Sequence, residues 1–183
     1  MADEPVLRAD AQLNRERILV AAEQAFLELG ADVSLDEVAR RAGVGVGTLY
    51  RRFASREALL AAVCSERFVT LAKESRARDA TLKPGDAVRA YLEELVMATC
   101  TYQRLAASLG TVLHHGTPGC HAITEEGRRQ IQRATAAGDI RHDVTLEDLV
   151  CVATAISLSV DQNRPTKARV AHLLSLFLDG IKV

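Results

Sequence analysis

Five arginines, Arg40, Arg41, Arg51, Arg52 and Arg56, fall between positions 40 and 56 with no acidic residue among them, a local charge of +5 in 17 residues. Such a density of guanidinium groups suits phosphate, because each planar fork donates two parallel hydrogen bonds. Interleaved with them are Thr48, short enough to touch a base edge, and Tyr50, with a hydroxyl for phosphate and a ring for sugar or a thymine methyl. The chemistry of this stretch is recognition of duplex nucleic acid, not bond-making. No HExxH, GxSxG or paired Glu-x-x-His pattern offers a catalytic constellation. The run Gly43-Val-Gly-Val-Gly-Thr48 is not a nucleotide loop. Thr48 stands where a dinucleotide fingerprint needs its third glycine, no Gly-Lys-Ser/Thr follows, and the residues before it read as a helix rather than a strand.

The elements that must position these residues are short helices. Ser34 followed three residues later by Glu37 is a capping box, which starts a helix near Leu35. Gly43 ends that helix after about two turns. Residues 46 to 53 form a second short helix, and Ser55 caps a third that carries Leu59, Leu60, Val63, Phe68 and Leu71 on its inner side. Leu35, Val38, Ala39, Val44 and Leu49 supply the apolar contacts, with Ala39 small where the two short helices cross closely. This is the layout of a helix-turn-helix, whose second helix lies in the major groove. Ahead of it, Ile18, Ala22, Ala25, Phe26 and Leu29 form one stripe of a helix that Gly30 ends.

Helical periodicity continues to the end of the chain. Lys83-Pro84-Gly85 interrupts it, and a long helix is expected from about Asp86 to Leu109. Gly116 to Gly119 reads as a turn, and Thr124-Glu125-Glu126 as the start of a helix running to about Ala137. Two further helices are expected at about 146–161, capped by Thr145, and 166–181, preceded by Pro165. The class is all-α. The 183 residues carry a formal net charge of −1 with 48% hydrophobic and 26% charged residues, the values of a globular protein. The +5 segment therefore leaves −6 on the remaining chain, a basic edge on an acidic body that should resist non-specific adhesion to DNA. The longest apolar run, Val150 to Val160, is about half of what spans a bilayer. The first fifteen residues lack the apolar core of a secretory signal, so a cytoplasmic protein with no membrane partner is expected. Cys64, Cys100, Cys120 and Cys151 form no CxxC and read as reduced thiols. His114, His115, Cys120 and His121 have no standard zinc spacing and straddle a Gly-Thr-Pro-Gly turn, so no metal and no cofactor is expected.

The stretches ILVAAEQAFLELG and SLDEVARRAGVGVGTLYRRFASREALLAAV, together about Arg15 to Val63, resemble the N-terminal DNA-binding domain of the TetR/AcrR family of transcriptional regulators. AGDIRHDVTLEDLV, before the penultimate helix, resembles a pattern common in the effector domains of that family. The resemblance implies a homodimer on a palindromic operator, usually a repressor released by a small ligand. By the family's pattern the recognition helix is Val46 to Phe53, with Thr48 and Tyr50 at the DNA beside Arg51 and Arg52. Arg56 takes the place of a basic phosphate contact, usually lysine, and Ser34 that of a cap that also meets phosphate. Two positions depart from the pattern. Gly45 stands where serine is more common, and Arg52 where an aromatic is common.

The organisation expected is a three-helix DNA-binding domain over residues 1–54, ordered from about residue 12, and a larger helical effector and dimerisation domain over 55–183. A dimer needs a self-complementary apolar surface. The last two helices offer Leu149, Val152, Ala153, Ile156 and Val160, and Val170, Leu173, Leu174, Phe177 and Leu178, enough for a four-helix bundle between two subunits. An effector pocket is expected among Phe68, Met97, Cys100, Tyr102, Leu105, Leu109, Leu113 and His114. The alternative from another class is a small all-α ligand-binding protein or enzyme without DNA binding. Steeply salt-dependent DNA affinity separates the two.

Overall fold

The computed structural model describes residues 4–102, 105–160 and 166–182, with side chains from residue 12 onward. Among them there are nine α-helices and no strand: α1 (Glu4–Leu29), α2 (Leu35–Ala42), α3 (Val46–Arg52), α4 (Arg56–Ala77), α5 (Pro84–Cys100), α6 (Leu109–Leu113), α7 (Pro118–Ala136), α8 (Leu146–Ser159) and α9 (Lys167–Ile181). Helix α1 begins well ahead of the expected residue 12. Its early residues are good helix formers but carry no apolar stripe, so periodicity does not reveal them.

One apolar core runs the length of the molecule. Ile18, Ala22 and Phe26 of α1 meet Val38 and Ala39 of α2, Leu49 of α3 and Leu59 and Leu60 of α4, all buried. The same core continues through Phe68 of α4 and Leu92, Leu95 and Val96 of α5 to Ile123, Leu149, Ala153, Val170 and Leu174. Helix α4 joins the two ends and makes its most extensive contact with α7. That contact is close because Gly119 has no side chain. Its N–H donates to Ser65 Oγ at 3.0 Å, and a Cβ there would lie 2.2 Å from the Ser65 carbonyl oxygen.

Further along the same crossing, the fully buried Glu126 carboxylate accepts from Ser75 Oγ at 2.9 Å, Gln130 Nε2 at 2.9 Å and Arg129 Nη2 at 2.6 Å. Arg76 reaches it from outside at 3.2 Å. Asp79 in turn takes Arg129 at 2.6 Å and pairs with Arg133. Apolar contact and this polar node together bind α4 to α7 at both ends of the crossing.

Two expected boundaries move. The long helix ends at Cys100 instead of near Leu109 and is followed by a 3₁₀ turn over Leu105–Ser108 and then α6. Thr99 and Thr101 hydroxyls donate back to the Leu95 and Met97 carbonyls, a bond that competes with the helical ladder. Tyr102 then leaves the helix axis, buries its ring edge-on to Phe26 at 6.5 Å and donates to Glu23. Helix α7 starts at Pro118 instead of Thr124. Thr117 caps it by accepting from Cys120 N, and Pro118 occupies the first turn, where its missing N–H is harmless. Thr124 is mid-helix and back-bonds to the Cys120 carbonyl.

Candidate nucleic-acid interface

Helix α2 is held by Ser34, whose Oγ accepts from Glu37 N at 3.2 Å. The reciprocal half of the expected capping box is missing, because the Glu37 carboxylate turns instead to Arg40, at 2.7 Å through two nitrogens, and to Arg41 at 2.8 Å. Arg40 and Arg41 thereby pull the Glu37 carboxyl down to about 2. Arg41 also meets Glu28 of α1 at 2.6 Å. At the helix end Gly43 takes a left-handed φ of 65°, which only glycine adopts without strain, and its N–H and that of Val44 close the last carbonyls. The chain then reverses into α3.

In α3 Leu49 is fully buried and anchors the helix. The opposite face is open: Gly45, Val46, Gly47, Tyr50, Arg51 and Arg52 are exposed and Thr48 is half-buried. Tyr50 shows 49% of its surface. Arg51 donates to Thr48 Oγ1 at 3.1 Å, which ties those two side chains together on the outer face. Phe53 ends the helix and is buried, with the Arg15 guanidinium 6.0 Å from its ring centre. Gly45 is the α3 cap residue, extended at φ −68°, with no side chain to accept from the helix. A Cβ there would meet only Thr48 Oγ1, at 3.9 Å. Gly45→Ser is therefore expected to fit and to stabilise the protein by a few tenths, about 0.3 kcal/mol, measured as a rise in the denaturation midpoint.

Arg56, at the first turn of α4, is half-buried. Its Nη1 donates to the Ala31 carbonyl at 2.9 Å and the Val33 carbonyl at 2.8 Å. The side chain expected at phosphate thus also fastens α4 to the loop between α1 and α2. Ser55 caps α4 by accepting from Ala58 N at 3.1 Å. Of the five arginines, Arg40 and Arg41 are committed to carboxylates and Arg56 to carbonyls. Arg51 and Arg52 are left as outward charges on α3. Sequence reasoning missed Glu37 and Glu28 as partners. Glu37 was legible from its three- and four-residue spacing to Arg40 and Arg41. Glu28, thirteen residues away on another helix, gave no such signal.

The residues expected to line an effector pocket do not share one cavity wall. Met97 and Tyr102 line a broad open groove of about 1520 Å³ between α1, α4 and α5. Phe68, Cys100, Leu105, Leu109 and Leu113 are buried in core packing, and His114 is exposed with Nδ1 against the Gly110 carbonyl. Among the described residues no cluster of His, Cys, Asp and Glu could hold a metal ion.

The residues expected at a dimer interface divide. Leu149, Ala153, Ile156, Val160, Val170, Leu174 and Leu178 are already covered within one chain, because the widest apolar arcs of α8 and α9 face α5. Val152, Leu173 and Phe177 are half-buried. Beside them sequence reasoning passed over two outward residues, Leu158, 53% exposed, and Leu176, 63% exposed. No helix among the described residues is long and apolar enough to cross a membrane.

Two family models match the chain. Residues 18–63 match that of bacterial regulatory proteins of the tetR family, and residues 83–183 that of the C-terminal domain of SbtR-like transcriptional regulators. The TetR transcriptional regulator SCO0520 from Streptomyces coelicolor is 34% identical over 92% of this chain and 98% of its own, with a TM-score of 0.55. RolR, solved in complex with resorcinol, shares the fold at 19% identity and a TM-score of 0.68, over 96% of this chain and 91% of its own. Among curated proteins, an HTH-type transcriptional regulator of Staphylococcus aureus, SAR0097, is 41% identical over 63 residues, which are 33% of this chain and 32% of that one. The alignment with that relative thus spans about a third of its length. Family models over both halves and a full-length relative agree with the exposed α3 on its buried Leu49 anchor: the chain belongs to the TetR family of transcriptional regulators, DNA-binding helix-turn-helix proteins rather than enzymes.

Proposed function

We propose that the protein is a ligand-responsive repressor that binds a palindromic operator as a homodimer and leaves it when a small molecule binds. The observation that carries the reading is the outer face of α3, where Thr48, Tyr50, Arg51 and Arg52 stand clear of the body on a helix fixed by Leu49. Thr48 and Tyr50 read bases and sugar, while Arg51, Arg52, Arg56 and the Ser34 helix start meet phosphate, with Gly45 and Val46 at the groove floor. Residues 1–54 form the DNA-binding part and 55–183 the effector and dimerisation part.

A second copy supplies symmetry. Val152 and Leu158 of α8 with Leu173, Leu176 and Phe177 of α9 form an apolar surface still open on one chain. Pairing them about a two-fold axis gives a four-helix bundle and two α3 helices at a fixed separation. Half-sites one helical turn apart, about 34 Å, make affinity sensitive to that separation. Because α4 continues into the body and is tied to α7, any shift of α4 changes it. A coupling of about 1–3 kcal/mol lowers operator affinity roughly 5- to 150-fold.

Selection of bound duplexes from a random library, followed by fluorescence anisotropy at several salt concentrations, tests the reading. A palindromic consensus with a steep salt slope is expected. No bound duplex at low salt would remove DNA binding as the function. Arg56→Ala is expected to weaken all duplexes alike and to lower the salt slope by about one unit. Thr48→Ala is expected to change which duplexes are selected, and a uniform loss would take base reading away from Thr48.

A further inference from the structure

The groove between α1, α4 and α5 has walls that only partly cover its apolar floor. Leu19 of α1, Ala62 and Val63 of α4 and Met97 of α5 are half-buried along it, and Val20 of α1 is 57% exposed at its edge. Its lining carries six glutamates against three arginines and one lysine. The three arginines are engaged, and Lys167 at the start of α9 has no ion-pair partner among the described residues. Arg78 is paired with Glu94 at 2.5 Å, Arg67 donates to Thr101 at 2.8 Å and lies 5.9 Å from the Tyr102 ring centre, and Arg15 faces Phe53. Glu66 and Glu74 of α4 and Glu93 of α5, by contrast, have no hydrogen-bond or ion-pair partner among the described residues. An apolar trough with a surplus of uncommitted carboxylates favours one chemical class of occupant.

We propose that this groove binds an apolar organic cation, such as a quaternary ammonium, phosphonium or amidinium with an aromatic or aliphatic body, and that its occupancy weakens DNA binding. The cationic centre lies among Glu66, Glu74 and Glu93, and the apolar body covers Leu19, Val63 and Met97. Glu66 and Glu74 both line the groove from α4, eight residues or about 12 Å apart along the helix, so carboxylates are offered along the groove's length. The position matters for regulation. Helix α1 packs against α2, and the first turn of α4 holds the loop between α1 and α2 through Arg56. A ligand wedged between α1 and α5 therefore touches both the DNA-binding block and the body, and it binds with different affinity to different separations of the two. Only such differential affinity moves an equilibrium. This regulatory step rests on the ligand-responsive reading above; cation binding itself does not.

The test uses the full chain, tetraphenylphosphonium as the cation and tetraphenylborate as its isosteric anion, in sodium buffer by isothermal titration calorimetry. The cation is expected to bind at least tenfold more tightly than the anion. A triple E66Q/E74Q/E93Q variant that keeps the wild-type circular dichroism and thermal midpoint is expected to lose ~tenfold in cation affinity, the sum of three exposed charge contacts. Equal binding of both ions, an unchanged affinity in the triple variant, or no heat up to millimolar cation overturns the site. Against a selected duplex, added tetraphenylphosphonium is expected to lower DNA affinity at least fivefold in the wild type and not in the triple variant. Binding without any effect on DNA affinity overturns the regulatory role. Failure to find any bound duplex counts against the proposed function alone, because calorimetry still decides the site.

Discussion

Gly119→Ala is expected to lower the denaturation midpoint sharply, by about 1–3 kcal/mol of stability or more. The added Cβ would lie 2.2 Å from the Ser65 carbonyl oxygen and 2.5 Å from its Cα, both backbone atoms that no side-chain rotation can clear. Relief requires α4 and α7 to separate, which breaks the bond from Gly119 N to Ser65 Oγ and loosens the most extensive helix contact in the molecule. A built-in comparison isolates the cause. Gly110 of α6 has nothing within 4 Å of its Cβ position, so Gly110→Ala adds helix propensity without a clash and should be neutral or stabilising by up to ~1 kcal/mol. Urea titrations of both variants at one fixed protomer concentration decide it, since self-association would otherwise shift the midpoints. A Gly119→Ala protein as stable as the Gly110→Ala protein would mean that α4 and α7 do not meet this closely in solution.

The same glycine shows what a single sequence does and does not reveal. In sequence, Gly119 reads as part of a turn between Gly116 and Gly119; in the fold it is the second residue of the helix, directly after Pro118, and serves a crossing 54 positions away. The local signal for that helix was the Thr117-Pro118 pair, a cap followed by a residue suited to the first turn. Thr124-Glu125-Glu126 competed with it and reads equally well as a start. Where strong local chemistry coincides with apolar periodicity, as at Ser34 to Gly43 or Thr145 to Val160, helix limits were legible to within a residue or two. The end of α5 was not, because Tyr102 leaves the helix for Phe26 and Glu23, partners more than seventy positions upstream. The outward side chains of α3 follow from Leu49 alone, since burying one face of a seven-residue helix fixes the other.

Charge illustrates the limit at the site itself. The +5 of residues 40 to 56 is correct as a count, yet Glu37 and Glu28 take up Arg40 and Arg41 in the folded chain. The basic character presented outward is concentrated on Arg51 and Arg52 of α3. Arg41 holds α2 against α1 through Glu28, while Arg40 pairs with Glu37 within α2, and the two together brace the support on which α3 turns. Fold and site use the same residue type for different tasks, and only the position of the carboxylates separates them.

Glu126→Ala is expected to be the most destabilising loss of a polar group, about 3 kcal/mol, the lower end for breaking a buried ion pair. Glu126 is fully buried and receives hydrogen bonds from Ser75, Arg76, Arg129 and Gln130, so its removal leaves donors of α4 and α7 facing an empty space. The lower end applies because Arg76 is largely exposed and Arg129 retains Asp79. The more informative replacement is Glu126→Gln, which keeps shape and one acceptor and removes the charge, at an expected cost of about 1–2 kcal/mol at neutral pH. Burial by itself would raise the Glu126 carboxyl above its ordinary value of 4.5, but hydrogen bonds from Arg129, Gln130 and Ser75 and the Arg129 charge outweigh it and hold the carboxyl lower. A carboxyl lowered in the folded state contributes stability that is complete above the unfolded value and is lost as pH falls through the folded one. The wild-type advantage over Glu126→Gln should therefore be constant from neutral pH down to about 5 and shrink as the pH falls below 4.5. Urea midpoints of the two proteins across that range measure it directly. An advantage that grows on acidification would show that burial, not the arginine cage, governs the Glu126 carboxyl and that the α4–α7 node is held by its neutral form.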